Sequence, residues 1–217
     1  MKKTLELHQH IQGAVTKSQK CQRNWDTEVS IPQEDLDTLI HAVTQSPSKQ
    51  NIAHYKVSFI TDRDVIQDIF KTTKGFYTNE DLSEAEYNSQ VLANLLVVFE
   101  DYKVSNTRAP EYLAFHSEPA TPQKLQQLVE RDQWMAIGIA SGMLALSANM
   151  LGYRTGYCAC FDTEEVKIKL KQTESPSTPL LMLGIGIPKK GYLRIFNQDN
   201  TYVYPTFDKQ EIPIKFI

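Results

Sequence analysis

Cysteine is scarce in this sequence. Cys21, Cys158 and Cys160 are the three present, an odd number with one far from the others, and so a poor disulfide framework. Cys158-Ala159-Cys160 has no second pair to complete a tetrahedral zinc site. Reduced thiols in a cytoplasmic protein are the expectation. Charge of one sign is lacking too. The formal net charge is -3, which gives no general attraction to nucleic acid or acidic membranes, so basic residues matter only where they cluster. Met1-Lys2-Lys3-Thr4-Leu5-Glu6-Leu7-His8 has no long apolar core after its lysines, so no secretory leader is expected.

The usual marks of hydrolytic, metal and nucleotide chemistry are also missing. There is no G-x-S-x-G elbow, no H-E-x-x-H and no G-x-x-x-x-G-K. His8, His10, His41, His54 and His116 share no ligand spacing except the first two, which sit on roughly opposite sides of a helix. No metal is expected. Gly184-Ile185-Gly186 follows a strand-like run but lacks the third glycine and the helix of a dinucleotide fingerprint.

One charge-free run, Trp134 to Tyr153, has about the length that spans a bilayer. It contains Gly138, Ser141, Gly142, Ser147 and Asn149, and nothing else in the chain resembles a second span. It reads as a helix buried on all sides within a protein core.

What is present is ordinary for a globular protein: 217 residues, 41% hydrophobic and 23% charged. Leu5 to Ile11 starts a helix, and the polar basic stretch Lys17 to Arg23 follows. Pro32 with Glu34 and Asp35 starts a second helix whose buried face is Leu36, Leu39, Ile40 and Val43. Ser46-Pro47-Ser48 ends it. Tyr55 to Thr61 alternates as a strand and Asp64 to Phe70 is a short helix. Leu95 to Phe99 and Leu180 to Ile187 are continuous apolar runs, the mark of strands buried on both faces. Between them, 101–122 is loop-like, Lys124 to Leu151 is a long helix stopped by Gly152, Tyr153 to Phe161 is extended, and Asp162 to Leu170 is a short helix. No repeat or linker divides the chain, so 1–217 is read as one domain, with 188–217 an extension whose aromatics must pack on the body or on a partner subunit.

Taken singly, the polar candidates are bland. Lys20 and Arg23 suit a solvated surface, Ser48 and Asn51 suit a turn, and Lys189-Lys190 suit a loop. Their order is more telling. Lys20-Cys21-Gln22-Arg23-Asn24-Trp25, Ile31-Pro32-Gln33-Glu34-Asp35-Leu36, Ser46-Pro47-Ser48-Lys49-Gln50-Asn51, the helix Ala136 to Leu151 with Gly152-Tyr153 and Phe161-Asp162 beyond it, and the strand ending Gly184-Ile185-Gly186-Ile187-Pro188 follow one another. Together they resemble the FMN-dependent nitroreductase family (NAD(P)H nitroreductase or flavin reductase-like) over roughly residues 5 to 195.

The resemblance implies an α+β fold with a central mixed, mainly antiparallel sheet flanked by helices, and an intertwined homodimer with each FMN between subunits. It implies phosphate ligands at Lys20, Cys21 and Arg23, with a further cation from Lys189, Lys190 or Arg194. Arginine suits this role because its guanidinium can bind a phosphate bidentately. Pro47, Ser48 and Asn51 would line the ribityl chain and ring edge. Asn88 and Gln90 would read the pyrimidine, and the backbone of Ala159 and Cys160 would face the reactive nitrogen. No catalytic side chain is implied, because the cofactor carries the chemistry.

The chain also departs from the family. Cys160 stands where glycine is usual, Gln19 where arginine is frequent, and Ala53-His54 where Gln-Pro is usual. The activity implied is ping-pong reduction of a small nitroaromatic or quinone-like acceptor by NADH or NADPH. The alternatives are a specialised flavin-dependent relative (enone, dehalogenation or flavin-consuming chemistry) and a non-catalytic flavin-binding regulatory protein. Neither nucleic acid nor membrane is an expected partner.

Overall fold

The computed structural model describes residues 2–75, 83, 86–102, 121–173, 176–189 and 209–216. Among the described residues there are five α-helices and four strands: α1 (Lys2–Ser18), α2 (Gln33–Thr44), β1 (Tyr55–Ile60), α3 (Arg63–Phe70), β2 (Leu95–Asp101), α4 (Pro122–Met150), β3 (Arg154–Cys158), α5 (Thr163–Lys169) and β4 (Pro179–Gly186). The strands make one sheet in the order β1-β2-β4-β3, and every pairing is antiparallel. The expected α+β architecture is present.

The continuous apolar runs do become the central strands. β2 is buried from Leu95 to Glu100 and β4 is covered on both faces. Leu95, Val97 and Phe99 of β2, with Leu183 and Ile185 of β4, pack beneath Leu39 and Val43 of α2 and Ile137, Ala140 and Leu144 of α4. Leu96, Val98 and Met182 point to the other face, against Ile66 and Ile69 of α3 and Val166 of α5. Alternation along each strand therefore feeds two cores, and helices seal both faces of the sheet.

Local chemistry sets the helix ends. The Asp62 side chain accepts from the Asp64 and Val65 N–H groups, and Asp162 accepts from Glu165 N–H. Thr121 caps α4, with Pro122 at its first position. At the far end Gly152 takes φ +99°, the Gly152 N–H donates to Asn149 and the Tyr153 N–H to Ala148. This paired closure needs a left-handed residue, which glycine supplies without strain.

The helix that Leu5 to Ile11 begins runs on through Lys17 and Ser18. One expectation requires correction. The run Trp134 to Tyr153 is not buried on all sides. Ala136, Ile137, Ala140, Ser141, Leu144, Ala145 and Ala148 face inward, whereas Trp134 (53% exposed), Met135, Ile139 and Met143 face outward, with Gly138 and Gly142 among them. A sheet can cover only one face of a helix. Composition does not distinguish an apolar face meant for the core from one meant for something else. No helix among the described residues is long and apolar enough to cross a membrane.

Tyr153 ties the end of α4 to the start of α2, its hydroxyl donating to Asp35 Oδ2 at 2.5 Å. Burial, and then the adjacent carboxylate, push the Tyr153 phenol up to about 12. The folded state thus holds this proton more tightly than the unfolded chain. The resulting stability is complete below the ordinary phenol range near 10 and is lost as pH rises from there towards 12. Tyr153→Phe should cost about 1 kcal/mol near neutrality, and should lose less stability than the wild type between about pH 8 and about pH 10.5. Denaturant titrations at the two pH values check this; equal alkaline losses in both proteins would refute it.

Candidate functional site

The segment carrying Lys20, Cys21 and Arg23 runs along the β3 edge of the sheet and on past the end of β4. The Gln22 N–H donates to the Thr155 carbonyl at 2.9 Å and the Asp26 N–H to Ile187 at 2.8 Å, while Trp25 bridges Pro188. The Lys189 N–H donates to the Asn24 carbonyl at 3.1 Å. This ladder puts the Lys20–Arg23 run and Lys189 at one corner of the sheet, although 166 residues separate Arg23 from Lys189 in sequence. Lys20 and Lys189 are exposed, and Cys21 and Arg23 are half-buried. Lys190 and Arg194 lie outside the described residues.

The corner rests on residues 88–94. The Trp25 indole donates to the Ser89 carbonyl at 2.9 Å. Asn94 Nδ2 donates to the Asp26 and Val29 carbonyls, both at 2.7 Å, and its Oδ1 accepts from the Ile187 N–H at 3.0 Å. Three backbone groups of two distant segments are thereby held by one amide. Sequence reasoning did not single out Asn94, because an asparagine after a turn carries no sign of its long-range partners.

Asn88 and Gln90 do lie at this corner, with their amides engaged inside the protein. Asn88 Oδ1 accepts from the Gln90 N–H at 3.1 Å, capping the 3-10 turn Ser89–Val91. Gln90 is 4% exposed. In the orientation that satisfies both ends of its amide, the nitrogen donates to Asn88 Oδ1 and to the Tyr157 carbonyl, and the oxygen accepts from Arg23 Nη2 at 3.1 Å. Gln90 therefore orients the Arg23 guanidinium.

Two facing glycines make room for that amide. Gly156 of β3 and Gly184 of β4 are register partners. A Cβ at Gly184 would overlap the Gln90 carbonyl oxygen, and one at Gly156 would lie 2.7 Å from the Gln22 carbonyl oxygen and 3.0 Å from Gln90 Cβ. Gly186 plays the same part for the Asn94 side chain. Glycine inside a strand marks a close backbone approach, and that signal was readable at Gly184 and Gly186.

Beyond β3 the chain turns outward, with Ala159 and Cys160 exposed and Cys158 buried. The Cys158 thiol donates to the Cys160 carbonyl at 3.7 Å, and burial pushes it up to about 11, so it stays protonated and inert at neutral pH. All three cysteines are free, and no cluster of metal-ligating residues occurs among the described residues.

Pro47, Ser48 and Asn51 stand elsewhere. They line a groove of about 690 Å³ with Ile40, Val43 and β1. Since β1 and β3 are opposite edges of the sheet, two buried strands and the helices on both faces separate this loop from Arg23. Gln50 and Asn51 adopt φ 56° and 53°. The loop is held from α4, where buried Asp132 accepts from Lys49 Nζ at 2.9 Å and Gln133 Nε2 donates to the His54 carbonyl at 3.1 Å.

The family model described as the Nitroreductase family matches residues 16–187. Among solved structures, a nitroreductase family protein from Clostridium novyi NT aligns with TM-score 0.58 and 18% identity over 85% of this chain and 88% of that one. A protein from Exiguobacterium sibiricum 255-15 in complex with FMN aligns with TM-score 0.59 and 16% identity, over 83% and 90%. An FMN-dependent nitroreductase from Clostridium difficile R20291 aligns with TM-score 0.57 and 15% identity, over 91% and 98%. Comparison with curated proteins found no match.

The glycine floor yields a direct test. Gly184→Ala must displace the Gln90 backbone, and overpacking of this kind costs about 1–3 kcal/mol. A lowered unfolding midpoint is expected, together with loss of the Arg23–Gln90 contact. Wild-type stability would show that the 88–94 segment does not bear on the sheet there.

Proposed function

The chain belongs to the nitroreductase family, and from that premise we propose that it is an FMN-dependent oxidoreductase. In this reading NADH or NADPH is the reductant, and a small nitroaromatic or quinone-like molecule is the acceptor, in a ping-pong cycle. The observation that carries it is the corner where the Lys20–Arg23 run meets Lys189. A terminal phosphate is a dianion that needs cationic donors. The ladder from Gln22 to Lys189 gathers such donors from both ends of the domain, and Gln90 presets the guanidinium of Arg23. FMN, when bound, supplies the electron transfer between nicotinamide and acceptor. The protein's own work is placement: Arg23 and the lysines bind the phosphate, and the outward turn at Ala159 and Cys160 offers backbone to the ring. Free cysteines support a cytoplasmic setting.

We propose further that each flavin is shared between two copies of the chain. Ser48 and Asn51 belong to the groove beside β1, on the far side of a packed sheet from Arg23. A second copy can bring its own Ser48–Asn51 loop to the Arg23 corner. The outward face of α4 supports this, because Trp134, Met135, Ile139 and Met143 are 38–53% exposed and each forgoes part of the roughly 1.5–3 kcal/mol that full burial of a large apolar side chain supplies. Gly138 and Gly142 have nothing near their missing Cβ positions, so another helix could approach closely. Ile212, Ile214 and Phe216 of the extension are also exposed, Phe216 at 93%, which supports packing of residues 188–217 on a partner subunit. An interface of more than ~2,000 Å² is expected.

The purified protein should be yellow or take up FMN stoichiometrically, and should oxidise reduced nicotinamide when a quinone is added. Arg23→Ala should weaken FMN binding by about 1.5–3 kcal/mol. Apoprotein that cannot be loaded with FMN would end the reading. Binding without turnover would leave the regulatory alternative.

A further inference from the structure

The turn Ser48-Lys49-Gln50-Asn51 is closed only in part by its own bonds. Ser48 Oγ donates to the Ile52 carbonyl at 2.8 Å, and the Asn51 and Ile52 N–H groups donate to Ser48 and Lys49, both at 3.2 Å. Against these stand two consecutive residues with positive φ, Gln50 and Asn51, a conformation that persists only where surrounding structure imposes it.

The imposing structure is α4. Asp132, 1% exposed, accepts from Lys49 Nζ at 2.9 Å through Oδ2. Its Oδ1 accepts from Arg131 Nη2 at 3.0 Å and Nε at 3.2 Å. On the next residue, Gln133 Nε2 donates to the His54 carbonyl at 3.1 Å. Adjacent α4 residues thus hold the loop at Lys49 and at His54, before and after its left-handed pair.

A buried carboxylate is a poor device for stability alone. Its desolvation offsets most of the attraction, and an apolar residue of similar size usually serves as well. A directional bond from a fixed helix, however, can specify where a loop stands. We propose that Asp132, acting through Lys49, is the positioning residue that holds Ser48 and Asn51 in the geometry flavin binding requires. Asp132 touches no reacting atom. The proposal rests on the flavin reading of this site and adds to it the part of the protein that presets the ring-side half.

Riboflavin, which lacks the phosphate, separates the two halves. Binding of FMN and of riboflavin to full-length apoprotein is measured by flavin fluorescence for wild type, Asp132→Asn, Lys49→Met and Arg23→Ala. If the clamp presets the turn, its loss lowers the competent fraction, and affinity falls in proportion, here by roughly tenfold. The loss should be equal for FMN and riboflavin in Asp132→Asn and Lys49→Met, and the double variant should be no worse than the worse single. Arg23→Ala should lose affinity for FMN alone. Should Asp132→Asn fail to fold, Lys49→Met, at the more exposed end of the pair, carries the same test. Wild-type affinity for both flavins in a folded clamp variant, or a loss confined to FMN, would overturn the proposal while leaving the flavin reading in place. A wild-type protein that binds neither flavin would remove both.

Discussion

Gln90 lies on a part of the sheet from which two facing side chains are absent. Gly156 and Gly184 stand opposite one another on β3 and β4, and any Cβ there would meet the backbone of Gln22 or Gln90. The close approach they allow seats residues 88–94 on the sheet. Those residues in turn hold the basic run, through the Ser89 carbonyl, the Asn94 amide and the Gln90 oxygen that accepts from Arg23. The cationic corner is therefore a consequence of strand packing rather than of a flexible surface arm. Arginine side chains lose much rotamer freedom when they are fixed. A corner that fixes Arg23 beforehand leaves less of that cost to be met on binding an anion.

The long helix α4 has three separate tasks. Its inward face closes the larger core over β2 and β4. About a third of the way along, Asp132 and Gln133 grip the loop before β1. Its outward face is apolar and in water in a single chain. If a second copy covers that face, as proposed, the element that builds the interface is also the one that sets the Ser48–Asn51 turn. Assembly and ligand binding would then be thermodynamically linked, each strengthening the other.

Much of this architecture was legible in the residues. The runs Leu95–Phe99 and Leu180–Ile187 announced strands buried on both faces, and they are the two central strands. Asp162 and Gly152 mark helix ends through local bonding, and Pro32 through its fixed φ; none of these needs a tertiary partner. What stayed hidden depends on contacts distant in sequence. Asp132 is one acid among many until Lys49, 83 residues away, is placed beside it. The amides of Asn88 and Gln90 invite a ligand-reading role by resemblance; within the fold Asn88 pairs with Gln90, and Gln90 with Tyr157 and Arg23. Gly184 and Gly186 do not fit a nucleotide-binding pattern; their significance lies in the backbone that crosses over them. The apolar run Trp134–Tyr153 looked like a wholly internal helix because hydrophobicity alone does not say which chain does the covering.

If one flavin site needs two chains, as proposed, the Arg23 corner comes from one and the Ser48–Asn51 loop from the other. Subunit complementation tests it directly. Full-length Arg23→Glu and Ser48→Trp variants, each defective in a different half, are co-expressed with different affinity tags, and only mixed dimers are kept. In a two-fold symmetric dimer, one site then carries both defects and the other carries neither. Mixed dimers should then bind about half the FMN of the wild type, while each variant alone binds little. Mixed dimers that bind no more FMN than the separate variants would contradict it and would place the whole site within a single chain.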